Sequence, residues 1–281
     1  MSSEVTTLAV GHITHDRFGE RILPGGCAYY ASRTWQALGA RSRLVAAVGE
    51  DFACQYALSG LDAQIARRGR TTVFTNLYPE TGPRIQYVEA LAPPVSPDQI
   101  PDDWRRPDVL FLGPVLNEVD IQSWKQAVDA RLVAIGVQGY IRSADNKKVT
   151  PRRWSPGENE LQGVDVACLS DEDLAGQGDL LQRLCNALPT VALTHERKGC
   201  DIIQGGSQTW VGIHPATEVD PTGAGDTFAA GFLFGLARGQ TPEEAARLGA
   251  ACASIIIEGV AGESFIHMQD AFERAGHIQQ P

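Results

Sequence analysis

The chain has 281 residues, 43% of them hydrophobic and 21% charged, proportions that allow one sizeable buried core. Its formal net charge of −10 comes from acids and bases mixed along the chain, which excludes the basic footprint of a nucleic-acid or anionic-membrane binder and favours a small-molecule partner. No run approaches the roughly 20 apolar residues of a membrane helix, and MSSEVTTLAVG lacks the basic and apolar stretches of a secretory signal, so the expected setting is cytoplasmic.

In chain order, TTLAVG at residues 6–11 predicts a first strand, and a helix follows from about Cys27 to Leu38. Ala28, Ala31, Trp35 and Leu38 recur there at spacings of three and four, the stripe of a helix packed on a sheet. RLVAAVG predicts a strand and the residues after it another helix; DVLFLGP, RLVAIGV, VDVACLS and TVALT are further strands. Strands separated by helices argue for an α/β chain with a mostly parallel sheet covered on both faces. Residues 71–91 instead predict a hairpin around a Pro-Glu-Thr-Gly turn, either a sheet edge or a lid, and the polar segment 143–160 predicts a surface loop. The six cysteines, Cys27, Cys54, Cys168, Cys185, Cys200 and Cys252, form no CxxC pair and are expected to be free thiols. His12 and His15 sit at a strand end, a poor arrangement for a metal.

The stretch DPTGAGD at residues 220–226 opens the last long helical pattern, in which Phe228, Phe232, Leu233 and Leu236 are core. Glycine costs about 1 kcal/mol against alanine inside a helix, so Gly223 and Gly225 call for a reason such as close approach of a ligand to outward-pointing amides. A structural alternative is that Thr222 caps the helix and Asp226 faces its dipole. The chain holds no GxxxxGK[ST], and Phe228 stands where a dinucleotide fingerprint needs its third glycine. A third arrangement gives the acid a task. The amides of Gly223, Ala224 and Gly225 face a transferring phosphoryl group, while Asp226, ionised at neutral pH, orients a substrate hydroxyl and takes its proton.

DPTGAGDTFAAGF resembles the C-terminal signature of the PfkB, or ribokinase, family of carbohydrate kinases. GHITHD followed by PGGCAYYASRTWQALGARSRLVAAVGEDF is similar to that family's N-terminal signature. The resemblance implies one ribokinase-like kinase domain over residues 1–281: a three-layer α/β sandwich, mostly parallel, with helices on both faces. Only eight residues separate Asp16 from Gly25, too few for the multi-stranded lid many members insert there. A small reduced β lid, the hairpin at about 71–91, is therefore expected, with a second subunit of a homodimer to help cover the site.

By the same resemblance the reaction moves the γ-phosphoryl of ATP, with Mg²⁺, to an alcohol of a sugar, polyol or nucleoside. Asp226 is then the base and Gly223, Ala224 and Gly225 the anion hole, with Thr222 beside the nucleotide. Asp16 accepts hydrogen bonds from substrate hydroxyls, and Gly25 and Gly26 line the same pocket. Other positions depart from the pattern. Where the family carries Asn-x-x-Glu, this chain has Ser170 and Asp173, which serve either as a helix cap or as a nucleotide contact and a water-mediated Mg²⁺ ligand. Thr194 and Gly199 match the Thr-x-Gly-x-x-Gly turn near the nucleotide, but Glu196 replaces its middle glycine; His195 is read as an exposed loop residue. Tyr30 replaces the usual Asn of the substrate pocket. GGCAYYAS, TTVF and GVQGYIR are similar to segments of the myo-inositol kinase branch, which brings Gln138 and Arg142 to the substrate. Two alternatives stay open: a nucleoside or furanose kinase that uses Tyr29, Tyr30 or Phe74 as an aromatic surface, and a catalytically weak ligand-binding or regulatory protein on the same fold.

Overall fold

The computed structural model describes residues 4–77 and 85–278. Strand β1 (Thr6–His12) passes through Ile13 directly into a hairpin, β2 (Thr14–Phe18) and β3 (Arg21–Gly25). Then come α1 (Cys27–Ala37), β4 (Arg41–Val48), β5 (Asp62–Arg67), β6 (Val73–Leu77) and β7 (Ile85–Ala90). They are followed by β8 (Val109–Leu112), α2 (Ile121–Ala127), β9 (Leu132–Gly136), β10 (Arg142–Asp145), β11 (Lys148–Pro151), α3 (Glu158–Leu161), β12 (Val166–Ser170), α4 (Leu180–Ala187) and β13 (Thr190–Thr194). Last are β14 (Cys200–Gln204), β15 (Ser207–Val211), α5 (Ala224–Ala237), α6 (Pro242–Ile256) and α7 (Ala271–Gly276).

Nine strands form one sheet in the order β15-β14-β13-β12-β9-β8-β1-β4-β5. All neighbours are parallel except at β14, which runs antiparallel to both β13 and β15. Each central strand divides its side chains between two cores. Ala9, Phe111 and Ala134 face α1, α5 and α6, whereas Leu8, Val10, Leu110 and Ile135 pack with Trp124 of α2 and Leu180 and Leu184 of α4. Both faces are thus covered, and the strands read as unbroken apolar runs. The chain winds outward from β1 in both directions, so the switch in strand order falls between β1 and β8, where open α/β sheets place their ligands.

The expected three-layer α/β class is present, with two local differences. No α-helix follows β4. Gln55–Leu58 is a single 3₁₀ turn, and DAQIAR forms edge strand β5, whose burial alternates between exposed and half-buried. The second sheet is larger than one hairpin, with six strands in the order β10-β11-β7-β6-β2-β3. Residues 71–91 supply only β6 and β7, and the Pro-Glu-Thr-Gly turn lies outside the described residues. The short Asp16–Gly25 segment is itself the β2–β3 hairpin. The segment read as a surface loop begins with the β10–β11 hairpin, closed by Asn146 (φ 46°) and Lys147 (φ 67°). That pair of left-handed residues makes the tight turn that suits strand twist.

Polar contacts of Thr71 and Thr72 tie the sheets together. The Thr71 hydroxyl and amide both donate to Asp51 Oδ1, at 2.8 and 2.7 Å. Thr72 Oγ1 meets His12 Nδ1 at 2.9 Å and accepts from the Ala92 amide at 2.9 Å. The carboxylate of Asp51 is held below the usual range because these donors outweigh its burial.

Candidate functional site at the sheet switch point

Helix α5 packs on β8, β9 and β12, and its first turn meets the N-terminal residue of α1, Cys27, which contacts the Pro114 carbonyl just after β8. Gly223 is the helix N-cap, with φ 81° and no side-chain cap. Thr222 does not cap this helix: its amide donates to Asp220 Oδ1 at 3.0 Å, and its buried hydroxyl has no partner among the described residues. The other Asp220 oxygen accepts from the Ala261 amide at 3.3 Å. The Ala224 N–H is turned back onto the Pro221 carbonyl at 3.2 Å and that of Thr227 onto Gly223 at 2.9 Å. This corrects the expected set of donors. Among the described residues the amides of Gly223, Gly225 and Asp226 are the open ones, because a Pro221–Ala224 turn precedes the helix.

Asp226 lies in the first turn of α5, half-buried. Burial pushes its carboxyl up to about 6, while a hydrogen bond from the Cys27 thiol and the charge of Arg142 pull it down and Asp173 pushes it up. The group therefore remains mostly ionised at neutral pH, though far less acidic than an exposed carboxylate. Cys27 opens α1 beside Pro114, and burial plus the neighbouring Asp226 raise its thiol far above the ordinary range.

Asp16 is buried on β2, where its Oδ1 accepts from the Thr14 hydroxyl at 2.8 Å. Gly25 lies across the hairpin against this carboxylate: a Cβ there would stand 2.4 Å from Asp16 Oδ2. Gly26, at φ 102°, leaves no room either, because its Cβ would meet the His12 carbonyl at 2.4 Å. Tyr30 lies between the two halves of the site. Its ring rests on Gly223, where a Cβ would approach it to 2.4 Å. Its hydroxyl is buried without a partner among the described residues. Burial, followed by the charges of Asp16 and Asp220, raises that phenol well above its ordinary value. Arg142 starts β10 and reaches Gln86 Oε1 at 3.4 Å, and Gln86 in turn donates to Asn76 Oδ1 at 3.0 Å. Gln138 is half-buried on the turn after β9.

On the other side, Ser170 and Asp173 close a reciprocal cap. Asp173 Oδ2 accepts from the Ser170 amide and hydroxyl at 2.9 and 3.0 Å, and the Asp173 amide approaches Ser170 Oγ at 3.3 Å. Thr194 Oγ1 donates to the Leu169 carbonyl at 3.3 Å. Glu196 holds φ 49° and Gly199 φ 105°; a Cβ on Gly199 would collide with the Val211 carbonyl at 2.2 Å. His195 is no free loop residue, for its Nδ1 lies 2.7 Å from Asp171 Oδ2 and its Nε2 2.7 Å from Asp201 Oδ2.

Several of these partners escaped the sequence reading. Glu118 is buried and its carboxylate accepts from the amides of His12, Val115 and Leu116 at 2.8–3.1 Å, which fixes the loop after β8 to the end of β1. Asp51, Asp171, Asp201 and Asp220 were missed likewise. Only Asp51 and Asp220 carried a signal, as members of VGED and DPTGAGD. His12 faces Pro93 and Thr72, and His15 accepts from the Ala53 amide at 2.9 Å, so the two rings do not converge. Among the described residues no group of three or more His, Cys, Asp or Glu is placed to hold a metal, and no helix is long and apolar enough to cross a membrane. All six cysteines are free.

Residues 155–266 match the model of the pfkB family of carbohydrate kinases. The chain is 30% identical over 271 residues to an inositol 3-kinase of Zea mays, covering 86% of this chain and 69% of that one. It is 28% identical over 263 residues to a cytidine kinase of Thermococcus kodakarensis, covering 86% and 92%. A solved structure of a pyrophosphate-dependent myo-inositol-1 kinase converted into a myo-inositol-3 kinase superposes with TM-score 0.78 at 19% identity, over 95% of this chain and 99% of that one.

Proposed function

The chain belongs to the pfkB family of carbohydrate kinases and is a phosphotransferase with an alcohol as acceptor, and we propose that it carries the γ-phosphoryl of ATP to a hydroxyl of an inositol-like polyol. The observation that carries this reading is the placement of Asp226: a carboxylate raised to about 6 beside the open amides of the same helix turn. Asp226 takes the proton of the attacking hydroxyl. The amides of Gly223, Gly225 and Asp226 stabilise charge on the transferring group. Asp16, held by Thr14 and backed by Gly25 and Gly26, accepts hydrogen bonds from other acceptor hydroxyls, with Tyr30, Gln138 and Arg142 around them.

Thr194 and Gly199 shape the donor side, Ser170 and Thr222 flank it, and the six-stranded sheet serves as lid of a single kinase unit. Mg²⁺ suits the donor set. The charge of Asp173 raises the cost of ionising Asp226, and this cation typically uses one or two carboxylates plus waters and substrate phosphates. When bound it would neutralise the phosphates, with Asp173 reaching it through water. Resemblance to inositol kinases supports a polyol. The cytidine kinase relative favours a nucleoside as the second reading, but Tyr29, Tyr30 and Phe74 are buried and offer no open face for a base.

The test is phosphoryl transfer from ATP–Mg and, separately, pyrophosphate, measured across polyols, sugars and nucleosides. Transfer to an inositol is expected, with turnover about 10² to 10⁴ lower in Asp226→Asn. Unchanged turnover in that variant, or preference for nucleosides, would overturn the assignment.

A further inference from the structure

We propose that His195 is a positioning residue for the phosphate donor, an imidazolium that locks the turn after β13 to the loop after β12. The inference rests on the reading that Thr194, Gly199 and Ser170 face the donor. Both ring nitrogens lie 2.7 Å from carboxylate oxygens, Asp171 on one side and Asp201 on the other. A neutral imidazole carries one N–H, so it can satisfy only one of these acceptors; both contacts require the doubly protonated ring. The ring is burdened by burial, but the hydrogen bonds and charges of Asp171 and Asp201 outweigh that and raise it above its ordinary 6.5.

The two carboxylates come from different elements. Asp201 is buried on β14, whereas Asp171 is exposed at the end of β12 and leads into the turn that carries Asp173. These are the charged groups that face the ring; the neighbouring Arg197 is engaged with Glu218 at 2.9 Å. The β12–β13 ladder runs up to Ser170 and Thr194, and beyond it the Asp171 amide donates to the Thr194 carbonyl at 3.0 Å. Loss of the ring proton therefore releases one side of the clamp, and exposed Asp171 is the side that water can replace. The turn that carries Asp173 then loosens against the turn that ends at Gly199, and the donor side relaxes while the acceptor side, built on β2 and α1, does not change. The clamp is complete below pH 6.5 and is lost as pH rises through the raised value.

The experiment follows the His195 ring by NMR titration and, in the same buffers from pH 5.5 to 9, the dissociation constants of ATP–Mg and pyrophosphate by calorimetry and the KM of myo-inositol. The ring midpoint is expected above 6.5, with donor affinity falling about tenfold through that midpoint and the acceptor KM flat. His195→Gln should bind the donor at every pH about as weakly as the wild type does above its midpoint, about tenfold below the wild type at low pH, and Asp201→Asn should move the midpoint to lower pH. A midpoint at or below 6.5, donor affinity flat across it, or wild-type donor affinity in His195→Gln overturns the proposal, including where melting temperature alone follows the titration. Absence of binding by both donors at every pH would instead overturn the donor assignment itself, and this proposal with it.

Discussion

Gly223→Ala tests whether the left-handed turn and the Tyr30 ring act together to set the amides of α5. Two costs are separable in the geometry. Alanine at φ 81° costs about 1–2 kcal/mol for the left-handed backbone. Its Cβ would also stand 2.4 Å from the Tyr30 ring, an overpacking that costs about 1–3 kcal/mol. The ring cannot swing aside, because it is 1% exposed and packs edge-on to Tyr29 at 5.5 Å and against Phe265 at 5.9 Å. Together the substitution should lower stability by about 2–5 kcal/mol, read from urea denaturation at fixed pH, and lower turnover by shifting the open Gly223 amide. In a Tyr30→Ala background only the backbone cost of about 1–2 kcal/mol should remain. A loss below about 0.5 kcal/mol in the first background, or equal losses in both, would refute the wedge.

Asp226 gives a pH profile with a definite sign. With its carboxyl near 6, kcat/KM should fall about tenfold per unit below that pH, since the base must be ionised; a profile flat down to pH 4.5 would exclude it as the base. Its folded value is raised, so its contribution to stability is full below the ordinary 3.8 and lost as pH rises through about 6. Asp226→Asn should therefore gain at most about 3 kcal/mol at pH 7.5 while losing activity, and a lowered melting temperature would contradict the burial cost. Glu196 adopts φ 49° where the family pattern carries glycine, so Glu196→Gly should stabilise the chain by about 0.5–1 kcal/mol, the relieved backbone strain less glycine's greater unfolded entropy. A loss of stability in thermal melts would show that the glutamate side chain holds the turn.

The nine-stranded sheet was readable because its central strands are buried on both faces: β8 reads VLFL and β1 keeps six of its seven positions buried. Such strands appear as plain apolar runs. The second sheet was half invisible for the opposite reason. β10 reads RSAD and β11 KVTP, with exposed or half-buried positions throughout, and their turn, Asn146–Lys147, lacks the glycine that usually marks a hairpin. β5 was taken for helix because DAQIAR, half-buried at an edge, carries no decisive apolar period. The hairpin of β2 and β3 hid in a segment judged by length alone, although twelve residues suffice for two strands of five and a two-residue turn.

At the site, sequence located groups whose neighbours along the chain explain them, and missed those explained by neighbours across the fold. DPTGAGD predicts open amides beside a carboxylate, but which amides stay open depends on the Pro221–Ala224 turn. His195 looked like a loop residue because Asp171 lies 24 positions away in sequence and Asp201 on the next strand. The departures from the family pattern acquire a common explanation. Tyr30 and Ser170 each form a contact of this chain's own: a ring under Gly223 and a cap with Asp173. Tyr30 also buries a hydroxyl with no partner among the described residues, which costs the free protein about 1–3 kcal/mol. Such a cost is tolerable at a place where an acceptor hydroxyl can supply the missing hydrogen bond, and the carboxylates of Asp16, Asp220 and Asp226 surround that place. The residue that most distinguishes this pocket from the family pattern thus stands between Asp16 and the turn at Gly223.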